Sequence, residues 1–299
     1  MVTIESTKPV TEALRCPSCG GARPVFLGAL ASEASDFGFS DGGALHECPE
    51  CHLLFLSKAE QPQDLAQMYG DLPSDLLDEL PGRKDFDLAA LEIGRSGQPL
   101  RVLDVGCFRG DFLAVLPDGV EKFGIEPSQA AQRVAAARGI KVIGDALEST
   151  TVEGSKFDVI VMMDVLEHLP NPFAALKKLS RWLAPGGRMI LTTGNSDALP
   201  WRLRRLCYYY YLPQHISFCN LRWFRWVAGR LQLDVAQVMQ FSHSRRAYGK
   251  TFVADRWVQF GKCVAAWLLS GFGSNAPGRH VKGDATWPDH LMVILQSRS

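Results

Sequence analysis

Residues 100–112, Leu-Arg-Val-Leu-Asp-Val-Gly-Cys-Phe-Arg-Gly-Asp-Phe, constrain this chain more than any other stretch. An apolar, β-type run that ends in a glycine turn predicts a buried strand running into a loop that opens a helix. In open α/β sheets that position, outside the carboxyl end of a strand, is where small-molecule cofactors bind. Gly106 and Gly110 let the backbone turn tightly and approach a ligand, Cys107 lies between them, and Asp104 ends the strand where it orients the loop. The spacing does not supply the Gly-x-Gly-x-x-Gly of a dinucleotide fingerprint.

The rest of the central region alternates strands and helices. Residues 121–125 form a second strand that ends in Glu126-Pro127-Ser, and 129–138 are an alanine-rich helix. A third strand, 140–143, leads to Gly-Asp145-Ala146-Leu, and a fourth, 156–163, ends at Met163-Asp164 and continues into Val-Leu-Glu167-His168. A helix at 172–183 passes through Ala-Pro-Gly-Gly into a strand at 188–193. A helix at 220–230, a sixth strand at 231–241 and an antiparallel seventh at 289–296 complete the pattern.

These segments resemble, in order, the motifs of class I S-adenosylmethionine methyltransferases. The glycine loop is similar to their Leu-Asp-x-Gly-Cys-Gly-x-Gly, with Phe108 in place of the middle glycine, and 157–169 match the run from Phe-Asp-x-Ile to Leu-Glu-His-Leu. The resemblance implies an α/β fold: a doubly wound, seven-stranded, mostly parallel, Rossmann-like sheet that takes S-adenosylmethionine as cofactor. It places Asp104, Gly106, Cys107, Gly110, Glu126, Pro127, Asp145, Ala146, Met163 and Asp164 at that cofactor. Glu126, 22 residues beyond Asp104, would accept hydrogen bonds from both ribose hydroxyls, Asp145 would accept from the adenine amino group, and the Ala146 backbone would lie beside the ring. The Asn-Pro-Pro-Tyr turn used by enzymes that methylate exocyclic base amines is missing, which argues against that subclass.

On the acceptor side, Pro-Gln-His215-Ile-Ser-Phe resembles the family's Pro-Glu-His-Leu-x-Phe segment. His215 is therefore expected to titrate near neutrality and take a proton from an acceptor hydroxyl, with His168 lining the same side. Asp164, Glu167 and His168 are spaced i, i+3, i+4. Some small-RNA and quinone O-methyltransferases hold a divalent ion with a similar cluster, whereas many relatives carry Leu-Glu-His without one, so the spacing leaves a metal there open.

Ahead of this domain stand two Cys-x-x-Cys pairs, Cys16/Cys19 and Cys48/Cys51. Each pair lets two thiolates converge from one tight turn, and two turns facing each other predict a closed, structural zinc site. The residues between the pairs supply the ribbon's strands and loop. The run 47–69, a strand and then a helix begun near Pro62, is similar to the N-terminal ribbon of methyltransferases in sugar, polysaccharide and secondary-metabolite pathways. The expected organisation is a zinc ribbon at 1–59, a helical linker and cover over the cofactor cleft at 60–98, and a methyltransferase domain at 99–299. The last contains an acceptor-side segment at 199–220 and a helical insertion at 242–288.

Charge sharpens the choice of acceptor. The 299-residue chain is neutral overall, yet residues 1–198 hold 18 basic against 28 acidic residues and 199–262 hold 11 against 2. With Arg202, Arg204 and Arg205 just before a tyrosine run, this favours an anionic small-molecule or glycan precursor such as a phosphorylated sugar, the arginines binding phosphate and the tyrosines stacking on a ring. The alternatives are an RNA methyltransferase using its basic half on phosphates, and a non-catalytic zinc-dependent interaction module. Aromatic and aliphatic residues at helical spacing in 251–270 predict a helix suited to core packing, a lid, a dimer contact or peripheral contact with a membrane surface. No signal sequence and no apolar stretch long enough to span a bilayer are found, so the expected location is cytoplasmic.

Overall fold

The computed structural model describes residues 14–30, 43–57, 83–95, 100–154, 156–204, 206, 208, 210–211, 214–243 and 288–298. The helix expected near Pro62, most of the linker and the amphipathic segment 251–270 lie outside the described residues.

A seven-stranded sheet forms the centre. Its members are β4 (Arg101–Val105), β5 (Glu121–Ile125), β6 (Lys141–Gly144), β7 (Phe157–Met163), β8 (Leu183–Gly194), β10 (Leu233–Phe241) and β11 (His290–Ser297), in the spatial order β10-β11-β8-β7-β4-β5-β6. β7 runs parallel to β4 and to β8, β4 to β5, and β5 to β6, while β11 lies antiparallel between β8 and β10. The order reverses beside β4, so the loops after β4 and β7 flank the switch point where α/β sheets bind ligands.

Side-chain alternation divides the core by face. Leu103, Ile160, Met162, Leu191 and Val293 point into one hydrophobic cluster, which receives α4 (Pro172–Ser180) and α6 (Leu221–Leu231). Val102, Val159, Val161, Ile190 and Met292 point into the other, against α1 (Lys84–Gly94), α2 (Asp111–Ala114) and α3 (Gln129–Ala137). Both faces of β7 are thereby covered, which is why it reads as a nearly continuous apolar run. Side-chain caps open three of these helices: Ser128 accepts from Ala131 N–H, Asn171 from Ala174 N–H beside Pro172, and Asn220 from Trp223 N–H.

The cysteine segment forms β1 (Val25–Ala29), β2 (Ala44–Glu47) and β3 (Leu54–Ser57), an antiparallel ribbon. Its fourth strand comes from far along the chain. β9 (Ser217–Phe218), which follows α5 (Leu199–Arg204), pairs antiparallel with β3 through Leu54–Phe218 and Phe55–Ser217. Cys16, Cys48, Cys51, Leu53 and Phe55 share one core with Trp223 and Phe224 of α6. Asn220 completes the seam: while its Oδ1 caps α6, its Nδ2 donates to the His52 carbonyl (2.8 Å) and to Ser196 Oγ (3.2 Å).

Asn220→Ala should therefore cost roughly 2–4 kcal/mol, the sum of a lost cap and an unsatisfied buried carbonyl. Asn220→Asp, which keeps the cap acceptor and loses the donor, should recover only part of it. Denaturant unfolding of both variants, with limited proteolysis of the ribbon, measures the two contributions.

Candidate cofactor and acceptor site

The loop after β4 is built by backbone geometry. Gly106 (φ +79°) and Gly110 (φ +76°) occupy the left-handed region, and a Cβ on Gly106 would lie 2.7 Å from Val165 Cγ2. Gly106 and Cys107 N–H both donate to the Ile125 carbonyl, at 2.8 and 3.1 Å, which pins the loop to the end of β5. Phe108, standing where the related motif has glycine, also adopts a left-handed φ of +47°. Its N–H donates to Glu126 Oε2 (2.8 Å), a bond that offsets a conformation costing a non-glycine residue about 1–2 kcal/mol.

Glu126 is 5% exposed, and its other oxygen accepts from Ser128 N–H at 2.8 Å. Burial raises its pKa against the pull of these two N–H groups. Ionised carboxylates offer about four lone-pair sites, so each oxygen retains room for one further donor. Glu126 N–H donates to the Gly144 carbonyl (3.1 Å), which brings the end of β6 alongside. Asp145, exposed on that turn, accepts from Ser149 Oγ (3.1 Å), and the Ala146 carbonyl accepts from Thr150 Oγ1 (2.6 Å). Asp104 is buried under the loop, where desolvation and the Glu126 charge outweigh Arg83 and raise it to about 7. Pro127 is half-buried, and Met163 is buried at the end of β7.

Beyond β7, Asp164, Glu167 and His168 separate instead of sharing one helical face. Asp164 has φ +54°, and only residues 166–168 form a turn of 3-10 helix. Asp164 meets Arg83, His243 and His290, whereas Glu167 and His168 meet His215. Glu167, 1% exposed, accepts from Thr193 Oγ1 (3.0 Å) and from the Tyr210 hydroxyl. Desolvation first, then the Asp164 charge, raise it to about 7.

His215 lies deeper than its sequence position implied. It is 6% exposed, and burial and the neighbouring His168 lower its pKa to about 3, so the expectation that it titrates near neutrality does not hold. Its Nδ1 donates to the Tyr210 carbonyl (2.8 Å), and its ring packs edge-on against His168 at 4.7 Å. His168 is half-buried, donates through Nδ1 to the Gln214 carbonyl (3.2 Å), and is lowered by burial.

The tyrosine run is also corrected. Tyr208, Tyr210 and Tyr211 are buried, and their hydroxyls engage Asp289, Glu167 and Trp201, so they are wall and not a stacking platform. Tyr209, Arg205 and the Arg204 side chain lie outside the described residues. Arg202 lines a cavity of about 690 Å³ between the ribbon and α5, together with Arg222. Arg222 is already paired with Asp197 and Glu47, so part of the basic excess is neutralised internally.

At the ribbon end, Cys16 and Cys51 sulfurs lie 3.6 Å apart and Cys19 and Cys48 sulfurs 3.4 Å, with all four within 4.8 Å. A tetrahedron with metal–sulfur bonds near 2.3 Å has edges of about 3.8 Å, so this set can hold a zinc-sized ion. The S–H of Cys51 lowers Cys16 to about 5, while burial raises Cys19 to about 12. Sequence reasoning missed Arg83, Asp85, His243, Asp289 and His290, because residues so far apart carry no local motif.

Gly110→Ala should destabilise the fold by at least about 1–2 kcal/mol, since it forces a Cβ into the left-handed region, where it would sit 2.0 Å from Ile140 Cδ1. Equilibrium unfolding in urea checks the size of the loss.

Residues 67–238 match the Methyltransf_23 family, a methyltransferase domain. Among curated proteins, the ubiquinone biosynthesis O-methyltransferase of Alkalilimnicola ehrlichii is 36% identical over 106 residues, covering 32% of this chain and 42% of that protein. The chloroplastic tocopherol O-methyltransferase of Arabidopsis thaliana is 35% identical over 139 residues, covering 39% and 40%. The matches thus span less than half the length of either relative. Among solved structures, a chain from the complex of the Haloferax volcanii Trm112 methyltransferase activator with a methyltransferase aligns with a TM-score of 0.51 at 13% identity, over 72% of this chain and 90% of that one, a likeness of fold. The match over more than half of the sequence and the sheet order agree: this chain belongs to the S-adenosylmethionine-dependent methyltransferase domain family.

Proposed function

We propose that the protein transfers a methyl group from S-adenosylmethionine to a hydroxyl oxygen of a small molecule. The observation that carries this reading is the row of polar groups at adjacent strand ends: Asp104 and the glycine loop after β4, Glu126 after β5, Asp145 after β6, and the Glu167–His168–His215 cluster after β7. The O-methyltransferase names of the two relatives support oxygen as the acceptor atom.

The cofactor, when bound, supplies an electrophilic methyl on a sulfonium. The protein has to hold it, align the acceptor oxygen and receive a proton. Glu126 holds the ribose with the lone pairs that Phe108 and Ser128 leave open. Of the two histidines, His168 suits the proton, because it is less buried than His215. Its Nδ1–H is committed to the Gln214 carbonyl, which makes Nε2 the basic nitrogen. His215 positions that ring from behind. The anionic-sugar preference loses support from the buried tyrosines and the paired Arg222, so uncharged hydroxyl compounds come first and phosphorylated sugars second. Methyl transfer from labelled cofactor into both classes decides between them, and a product methylated only on a phosphorylated sugar would overturn the order.

Glu126→Ala removes an acceptor of two hydrogen bonds to a charged group, each worth about 1.5–3 kcal/mol, so cofactor affinity should fall more than about a hundredfold. Calorimetry tests this, and unchanged affinity rejects the assignment.

The Glu167 carboxyl, raised to about 7, gives the reaction a pH signature. Turnover should climb as pH rises through about 7, because the ionised carboxylate makes the adjacent imidazoles more basic, and Glu167→Gln should remove that step. The linked stability has the opposite sign. A carboxyl raised above its ordinary 4.5 contributes stability below that value and loses it as pH rises through about 7. Turnover and thermal melting across this range give both readouts.

We also propose one structural zinc on Cys16, Cys19, Cys48 and Cys51, supported by the sulfur spacing. Elemental analysis should find one zinc bound to these cysteines per chain. Stripping it should open the ribbon to proteases and lower turnover more than cofactor affinity, because β9 pairs with β3 and Ile216 N–H donates to the Glu167 carbonyl (2.8 Å).

A further inference from the structure

We infer that Asp164, His243 and His290 form a second metal site, for a divalent transition ion with nitrogen and oxygen preference, separate from the four cysteines and from the Glu167–His168–His215 cluster. One ligand atom from each of the three residues lies within 4.8 Å of the others. They come from the ends of β7 and β10 and the start of β11, all at the edge of the sheet that carries the cofactor loop.

Two features point to a cation. First, His243 Nε2 and Asp164 Oδ1 are buried atoms without a hydrogen-bond partner among the described residues. Arg83 occupies only Oδ2 of that carboxylate, at 2.5 Å. Second, a carboxylate orients one of the two imidazoles. His290 Nδ1 lies 2.8 Å from Asp289 Oδ1, which leaves its Nε2 as the ligand atom. His243 Nε2 faces Asp164 Oδ2 at 3.4 Å, close enough for the two atoms to share one cation. About 3.4 Å is also the edge of a tetrahedron whose metal–ligand bonds are near 2.1 Å.

Two imidazoles and a carboxylate suit zinc, cobalt, nickel, iron or manganese and disfavour calcium and magnesium. The site stands on this geometry and does not depend on the nature of the acceptor.

The test is equilibrium dialysis of the full chain, carrying one equivalent of zinc for its four cysteines, against cobalt(II) chloride. The expected result is one cobalt per chain, without the thiolate charge-transfer absorption a cysteine site would add. His243→Asn and His290→Asn should abolish that binding, Asp289→Asn should weaken it by about ten- to a hundredfold, and His168→Asn should leave it intact. His243 is the safer variant because it is partly exposed, and thermal melting confirms that each variant is folded. Calorimetry of the cofactor on the same preparations reports the methyltransferase reading separately. No cobalt bound by the chain carrying one equivalent of zinc, or binding lost in His168→Asn and kept in His243→Asn, overturns the proposal.

Discussion

Carboxylates buried at one edge of a parallel sheet are the constraint on which the rest of this structure depends. Asp85, Asp104, Glu126, Glu167 and Asp289 are all at most 5% exposed, and an unpaired charge in such a place is prohibitive. Each is accommodated differently. Glu126 is held by two backbone N–H groups, Asp85 by Arg83, and Asp289 by Tyr208 and His290. Asp104 and Glu167 have the least compensation and rise to about 7. Burial also pushes Asp164 upward, but the His243 contact and the Arg83 charge prevail and hold it below the usual carboxylate range. Strand ends that bind ligands concentrate such perturbed groups.

Tyr210 links the two halves of this polar edge. Its hydroxyl donates to Glu167 and accepts from Gly194 N–H (3.1 Å), its carbonyl accepts from His215, and its ring meets His290 edge-on at 5.4 Å. Gly194 lies opposite His290 in the β8–β11 pairing, and a Cβ on Gly194 would lie 2.6 Å from the Tyr210 ring. The absence of a side chain at that glycine is what admits the tyrosine.

The ribbon is joined to the same edge. β9 continues the ribbon sheet, Leu56 N–H donates to the Ile216 carbonyl (2.9 Å), and Ile216 N–H donates to the Glu167 carbonyl. Displacing the ribbon therefore moves the backbone that carries Glu167. The cysteine ribbon thus contributes to the geometry around Glu167 through main-chain hydrogen bonds, although none of the cysteines belongs to that polar cluster.

Local signals were enough for much of this. The turn at Gly106, the acidic end of β5 and the sulfur pairs each sit within a few residues, and short-range backbone chemistry decides them. The doubly wound, mostly parallel sheet with its antiparallel last strand was what the family resemblance implied, while the spatial order of the strands came from the structure. Element ends shifted by a residue or two where capping had the final word: the helix expected at 220–230 runs from Leu221 to Leu231, with Asn220 as its cap. What the chain could not declare locally were pairings across long separations. Whether His215 is wet or dry, whether tyrosines face a ligand or a core, and which residues gather around Asp164 depend on packing between distant segments, some 205 residues apart in sequence, as Trp223 and Ser18 are. The sequence determined the strand-end chemistry, because hydrogen-bonding and turn propensities act over a few residues; only the tertiary structure decided protonation and grouping, because desolvation and charge act through space.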